Sequence, residues 1–390
     1  MKKTLLVLAT LAATAGLAQA ATVTLYGAAD AGLVYNYTKF KGSAVFDGER
    51  YSGKVSEDRY GLESGNYGAS KWGLKGEEDL GNGYKVGFKL ENGFFLDDGR
   101  AGQGGRLFGR EASLTVSGPF GALSAGRMGA LTSGAGTYDI FQAYGDVFDG
   151  GVADIGAGMW VPTSRYDNML TYATPNMGGL TIYAQYSFQT EGSEKANERA
   201  NDRYWGLGAT FEQGPLALVA VVDSVKPANV GSGDDNYTIS LGGNYDFGSF
   251  KLYAAGQYGT HLSLADYLSP VKDSILEAGM SEEDYDEAAE YIGENINVKG
   301  YALNLGTAIP LPCGELKASV WYAHKKVQDT TVKFDQWGVG VVHAYPLSKR
   351  TTFYSGVGAN YGKLKASDEG DWLKVKATSA QVLFGLNHTF

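Results

Sequence analysis

Several things are scarce in this chain of 390 residues, and each scarcity excludes something. There is one cysteine, Cys313, so no intramolecular disulfide framework can hold the fold. Nine prolines are too few for a disordered or proline-rich segment. After the first twenty residues, no apolar run approaches the ~20 residues that a spanning helix needs. The four histidines, His261, His324, His343 and His388, are scattered. None falls in a Ser/His/Asp or metal-like cluster, which argues against a hydrolase or a metal centre. No basic block interrupts an acidic balance of 33 Lys+Arg to 43 Asp+Glu, which argues against nucleic acid as a partner.

Glycine and tyrosine are plentiful, with 56 and 26 residues. That mixture suits strands, tight turns and aromatic belts. The first twenty residues have the form of a secretory signal: Lys2 and Lys3, the apolar Leu5–Leu11, and the small-residue site Ala18-Gln-Ala20. Without the two signal lysines the net charge moves from −10 to −12. Residues 21–390 show no domain boundary and about sixteen strand candidates. If the chain is in a membrane, it crosses as strands.

Period-2 alternation assigns faces to several of these strands. Tyr84, Val86, Phe88 and Leu90 oppose Lys85, Gly87, Lys89 and Glu91. Leu180, Ile182, Ala184 and Tyr186 oppose Thr181, Tyr183, Gln185 and Ser187. Val382, Phe384, Leu386 and Phe390 oppose Gln381, Gly385, Asn387 and Thr389. A soluble sandwich would turn the apolar face to a core, whereas a membrane barrel turns it to lipid. The connectors favour the barrel. Short turns, such as Leu80–Gly83, Gly118–Phe120 and Pro346–Lys349, alternate with long connectors at 38–67, 129–165, 190–201, 226–235, 260–296 and 361–375. One tight rim and one elaborate rim is the pattern of outer-membrane barrels. Within 260–296, residues 271–278 and 281–292 are predicted helical, with Ser281 as a cap. Their carboxylates lack the ordered spacing of a calcium loop.

The long connector after Gly121–Met128 is rich in Gly and Asp but carries Tyr138, Ile140, Phe141, Tyr144, Val147 and Phe148 as apolar anchors. Disorder fits that composition poorly. The expectation is a loop folded against the inside of a closed sheet, its carboxylates facing a basic wall.

Further stretches carry a family likeness. They are Thr22–Gly32, Ser70–Gly83, Phe108–Ala112, Phe120–Arg127, Arg165–Asn168 with Tyr172–Pro175, and the terminal Phe390. In this order and spacing the chain resembles the general diffusion porins of Gram-negative bacteria, of the beta-proteobacterial and neisserial type. The resemblance implies an all-β, sixteen-stranded antiparallel transmembrane barrel in the outer membrane, and a homotrimer. A third external loop, 131–165, would fold inward as a constriction. It implies passive passage of ions and small hydrophilic solutes, no cofactor and no metal. The implied partners are outer-membrane lipid, lipopolysaccharide and the barrel-assembly machinery, which would read Phe390. His388 stands where many family members carry an aromatic residue.

By the same resemblance, the basic wall of the constriction would be Lys71, Arg127 and Arg165, with Arg110 and Lys75 as further candidates. Its acidic loop would draw on Asp139, Asp146, Asp149 and Asp154, with Asp146 and Asp149 favoured. Alternation puts Lys71, Lys75 and Arg165 on the polar face but Arg127 on the outward one, unless a bulge re-aims it. A substrate-specific channel for a sugar or organic acid stays open, because Tyr26, Tyr183 and Trp321 fall on the polar side. The sign of ion preference stays open too.

Overall fold

The structure, a computed structural model, describes residues 23–148, 160–161, 163–196, 201–226, 235–263, 297–368 and 370–390. The signal segment 1–20, the helical stretches 271–278 and 281–292, Asp149 and Asp154 lie outside the described residues.

Alternating apolar and polar residues build one antiparallel sheet. Its first segments are β1 (Thr24–Phe46), β2 (Glu49–Ser64), β3 (Lys71–Gly81), β4 (Tyr84–Gly93), β5 (Glu111–Gly118) and β6 (Gly121–Gly129). A short helix, α1 (Phe141–Gly145), precedes β7 (Arg165–Ala173), β8 (Leu180–Ser187), β9 (Arg203–Gln213), β10 (Leu216–Lys226), β11 (Tyr237–Asp246) and β12 (Lys251–Ser263). The last are β13 (Asn297–Leu311), β14 (Gly314–Val327), β15 (Lys333–Pro346), β16 (Thr351–Asp368) and β17 (Asp371–Thr389). β17 pairs with β1, so the sheet closes.

Seventeen segments make sixteen staves. β2 pairs with the upper part of β1, from Ala31 to Phe46, and β3 with its lower part, from Thr24 to Ala28. The two are halves of one stave, broken at residues 65–70. Asp30 holds the break: its carboxylate accepts the backbone N–H of Asn66 at 2.9 Å and of Gly68 at 3.2 Å. It also accepts the Tyr354 hydroxyl at 2.9 Å and the Asn387 amide at 3.0 Å, so the same carboxylate ties the break to β16 and β17.

The alternating faces resolve as a membrane barrel. Leu33, Leu114, Ile182, Leu207, Leu241, Leu303, Val339 and Phe384 stand exposed on the outside, while Thr171, Gln185, Ser240 and Gln381 are buried on the inside. Such an outer band would be an aggregation liability in water and is the normal surface in lipid. The turn Gly81-Asn82-Gly83 shows why the tight rim needs its residues: all three have positive φ, which Gly and Asn tolerate.

Two stretches differ from their sequence-based expectation. The long connectors expected at 38–67 and 361–375 largely continue as strands, the first pair joined by a turn at 47–48. Many of their outward positions are charged or polar, such as Lys39, Lys41, Ser52, Lys54, Lys363, Lys365 and Lys374, so the apolar period that marks a membrane strand stops while the hydrogen-bond ladder continues.

Candidate functional site

The chain leaves the wall at the end of β6 and packs against the inside of the barrel. Ile140 and Phe141 donate their backbone N–H groups to the Leu131 carbonyl, both at 3.0 Å, and all three side chains are buried. Helix α1 lies on β10, β11 and β12. Small residues on the facing strands make room for it. A Cβ built on Gly242 would stand 3.1 Å from Ala255 Cβ and 3.2 Å from Gly145 Cα. One built on Gly306 would stand 2.7 Å from Val147, and one on Gly208 2.8 Å from Ile140. Burying a side chain such as Phe141 contributes about 1.5–3 kcal/mol, so the loop is held mainly by apolar contact.

Polar braces set its register. Gln142 donates to the Thr132 carbonyl at 2.8 Å, and Asn244 of β11 donates to the Tyr144 carbonyl at 2.8 Å. Asp146 is buried within this packing. It accepts the Phe148 N–H at 3.0 Å, Trp160 Nε1 at 3.4 Å and Asn304 of β13 at 3.4 Å. The Tyr144 hydroxyl donates to Glu212, and burial together with that carboxylate pushes the phenol up to about 12. Asp139 is half-buried in the same loop.

The opposite wall is charged. Register places Lys71 and Lys75 of β3 on the lumen face, with Lys89 and Glu91 of β4 beside them. Glu91 takes Arg110 Nε at 2.7 Å, the Tyr26 hydroxyl at 2.9 Å and Lys71 Nζ at 3.9 Å. Lys89 Nζ meets Glu111 at 2.8 Å, and Glu111 also accepts the Thr137 hydroxyl at 2.7 Å, joining wall to loop. Lys75 Nζ lies 5.2 Å from the centroid of the Tyr26 ring.

Arg127 is the residue at a register irregularity between Gly126 and Met128, with Gly126 at φ 137°. Its Nη1 reaches Asp167 of β7 at 2.6 Å and its Nε donates to the Gly109 carbonyl at 2.8 Å. Arg106 comes down to the same Asp167 at 2.8 Å. Arg165 differs from its neighbours. Among the described residues it has no hydrogen-bond or ion-pair partner, its buried Nε is unpaired, and Arg110 and Arg127 bring their charge against it.

The five cations named from the sequence thus share one wall, and the structure adds Lys89 and Arg106 to them. The carboxylates paired with this wall, Glu91, Glu111 and Asp167, were not singled out. Alternation from Tyr84 had already put Glu91 on the polar face with Lys89, and Asp167 lies two residues after Arg165.

A closed barrel with a charged inner wall and a loop packed inside it has the form of a pore. A family model of Gram-negative porins matches residues 7–364. The chain belongs to the Gram-negative porin family. An outer membrane porin protein of Bordetella pertussis is 34% identical to this porin, with the whole of both chains covered. Outer membrane porin protein 32 of Delftia acidovorans is 31% identical over 91% of this porin and 88% of that one. Among solved structures, the anion-selective porin from Comamonas acidovorans matches with a TM-score of 0.65 and 25% identity, covering 95% of this porin and 100% of that chain. OmpT of Vibrio cholerae, in a trimer form, shares the fold alone: TM-score 0.60, 16% identity, 95% of this chain and 100% of its own. The porin is an integral barrel of the outer membrane and a general diffusion channel for ions and small hydrophilic solutes.

Proposed function

We propose that the constriction of this porin favours anions. The observation that carries the reading is Arg165: among the described residues its guanidinium forms no salt bridge, and it stands within the field of Arg110 and Arg127 as well as of Glu91 and Glu111, which are already paired elsewhere. Glu91, Glu111 and Asp167 answer Lys71, Lys89, Arg106, Arg110 and Arg127, which leaves positive charge in excess. Low-dielectric walls focus that excess across a narrow aqueous gap. The anion-selective relative supports the same sign.

In this reading Lys71, Arg110, Arg127, Arg165 and Lys75 form the basic wall. Asp146 braces the loop, and Asp139, Asp149 and Asp154 supply its remaining negative charge. Solutes cross without a catalytic step. Tyr26 is tied to Glu91 and Trp321 is packed in the wall, an arrangement that favours a general pore over an aromatic sugar slide. We further infer a homotrimer, loss of residues 1–20 on export, and Phe390 as the residue read in assembly. Phe390 pairs with Gly27 through both backbone groups, at 3.0 and 3.1 Å.

Two recordings on protein refolded into a planar bilayer test this reading. Current should rise with salt without saturating at millimolar sugar or organic acid, in steps of three. Arg165→Gln should move the zero-current potential toward cations. Block by one solute at low concentration, or an unchanged potential in the variant, would overturn it.

A further inference from the structure

The lumen holds a second inward piece of chain, much shorter than the loop that carries α1. On the second stave the register jumps. Ala31 faces Ser64, so an unbroken stave would bring Tyr67 opposite Ala28, but Ala28 faces Lys71. The stave therefore carries four extra residues at its break. Cross-strand partners in a sheet point to the same side, and this says which way the extra residues fold. Asn387 shares the inner face of Gln381, Asp30 lies opposite Asn387, and Tyr354 lies opposite Gly385 on that same face. These three inward side chains grip the break, so the extra residues lie on the lumen side of the wall.

The break is held stiffly. The Asp30 N–H donates to Ser70 Oγ at 3.0 Å, and that hydroxyl donates to the Asp30 carbonyl at 3.1 Å. Gly65 N–H donates to the same carbonyl at 3.1 Å, and the Asn66 amide donates to the Glu63 carbonyl at 2.9 Å. Closing a barrel requires none of this, because an uninterrupted ladder would satisfy the same backbone groups. What the break adds is Tyr67. Its ring stacks on Tyr354, with 5.3 Å between centroids and 15° between planes. Tyr354 is fully buried under it while Tyr67 is half-buried. Tyr67 thus stands one layer further into the lumen than the wall.

Lys317 of β14 fixes the depth. Its Nζ lies 5.9 Å from the centroid of the Tyr67 ring and 3.8 Å from Glu315. Two residues on, Ser319 donates to Asn304, which in turn donates to Asp146 of the inward loop. Ser319 and Lys317 are successive positions on one face of β14, about 7 Å apart along the strand. Tyr67 therefore reaches the level of that loop. Around the barrel, its stave is the second of sixteen, and α1 rests on the ninth to eleventh. Ring and helix stand on opposite sides of the lumen. Lys71, Arg110, Arg127 and Arg165 fill one arc between them, and Lys317 lies on the other.

We propose that Tyr67 determines the size limit of this pore: its ring closes the side of the constriction that faces α1, and Lys317 carries positive charge onto that side. The proposal deepens the constriction reading and rests on its placement of the pore path, but not on its sign. A cation over an aromatic face is attracted by the ring quadrupole, so Tyr67 also steadies the ammonium above it. A passing anion meets that ammonium, whereas a neutral solute meets only the bulk of the ring. Size and charge are selected here by two different side chains.

The test uses the full refolded porin in liposomes, with swelling rates for neutral mono-, di- and trisaccharides, alongside zero-current potentials in a planar bilayer. Tyr67→Ala should raise the trisaccharide rate relative to the monosaccharide rate by roughly twofold or more, since passage near the cut-off is set by pore dimensions. Tyr67→Trp should lower the same ratio. Tyr67→Phe retains the ring and should restore the wild-type ratio. Lys317→Gln should move the zero-current potential toward cations. Heat-modified mobility identifies the folded variants, and the tryptophan variant carries the test if the alanine variant does not fold. An unchanged ratio in folded Tyr67→Ala or Tyr67→Trp would overturn the proposal, as would a rise in Tyr67→Phe equal to that in Tyr67→Ala. A wild-type potential displaced toward cations would overturn the anion-favouring reading alone, because the sugar ratios carry no charge.

Discussion

Glu91 and Arg110 meet at 2.7 Å on the lumen wall, 19 residues apart in sequence and on either side of a long loop. Glu91 is the carboxylate nearest Lys71 as well, so it subtracts charge where an ion must pass. Replacing it by glutamine should strengthen anion preference. One unit charge about 5 Å from an ion is worth roughly 1–3 kcal/mol between water-like and protein-surface dielectrics, and salt reduces that. A shift of about twofold to tenfold in permeability ratio is expected from zero-current potentials.

Stability should depend on a different carboxylate. Tyr354→Phe removes one hydrogen bond to the buried Asp30. A bond to a charged group contributes about 1.5–3 kcal/mol. The expected result is a lower temperature of heat-modified mobility with unchanged conductance. Asp30→Ala should be worse, because it strands the donors of Asn66, Gly68 and Asn387 together.

The seat of the inward loop is a set of missing side chains. Gly242→Leu would push into Ala255 and the Gly145 backbone, lifting α1 from the wall. Single-channel recordings should then show altered conductance and more open-state noise, in a barrel that still folds. Quiet, wild-type openings would mean that the loop is held elsewhere.

At the tight rim, the Phe390 ring occupies the space where a side chain on Gly27 would stand. Gly27→Val should therefore lower the yield of assembled protein in cells, as should Phe390→Ala. Refolding in detergent should be affected less by Phe390→Ala than by Gly27→Val, since the first removes a contact and the second creates a clash.

The barrel was legible in the sequence because a side-chain period of two survives in each membrane strand, as in Tyr84–Glu91 and Leu180–Ser187. Legibility ended where the period lost its apolar half. Lys39, Lys41, Lys363, Lys365, Lys374 and Lys376 keep the alternation but not the hydrophobicity, so strand and loop look alike there in sequence. The five wall cations could be named because they recur in family motifs. Their partners could not, because which carboxylate faces which cation depends on register: Glu91 opposite Glu111, Glu91 opposite Gly73. Arg127 shows the same limit. Simple alternation points it outward, and the irregularity at Gly126 that precedes its contact with Asp167 is set by backbone geometry.

The most direct measurement is the zero-current potential of the wild-type channel in a bilayer with a tenfold gradient of potassium chloride. A potential displaced toward the chloride equilibrium value is expected if Arg165 and Lys71 leave the wall positive. A potential displaced toward the potassium value would contradict an anion-favouring constriction and assign the dominant charge to the aspartates of the loop.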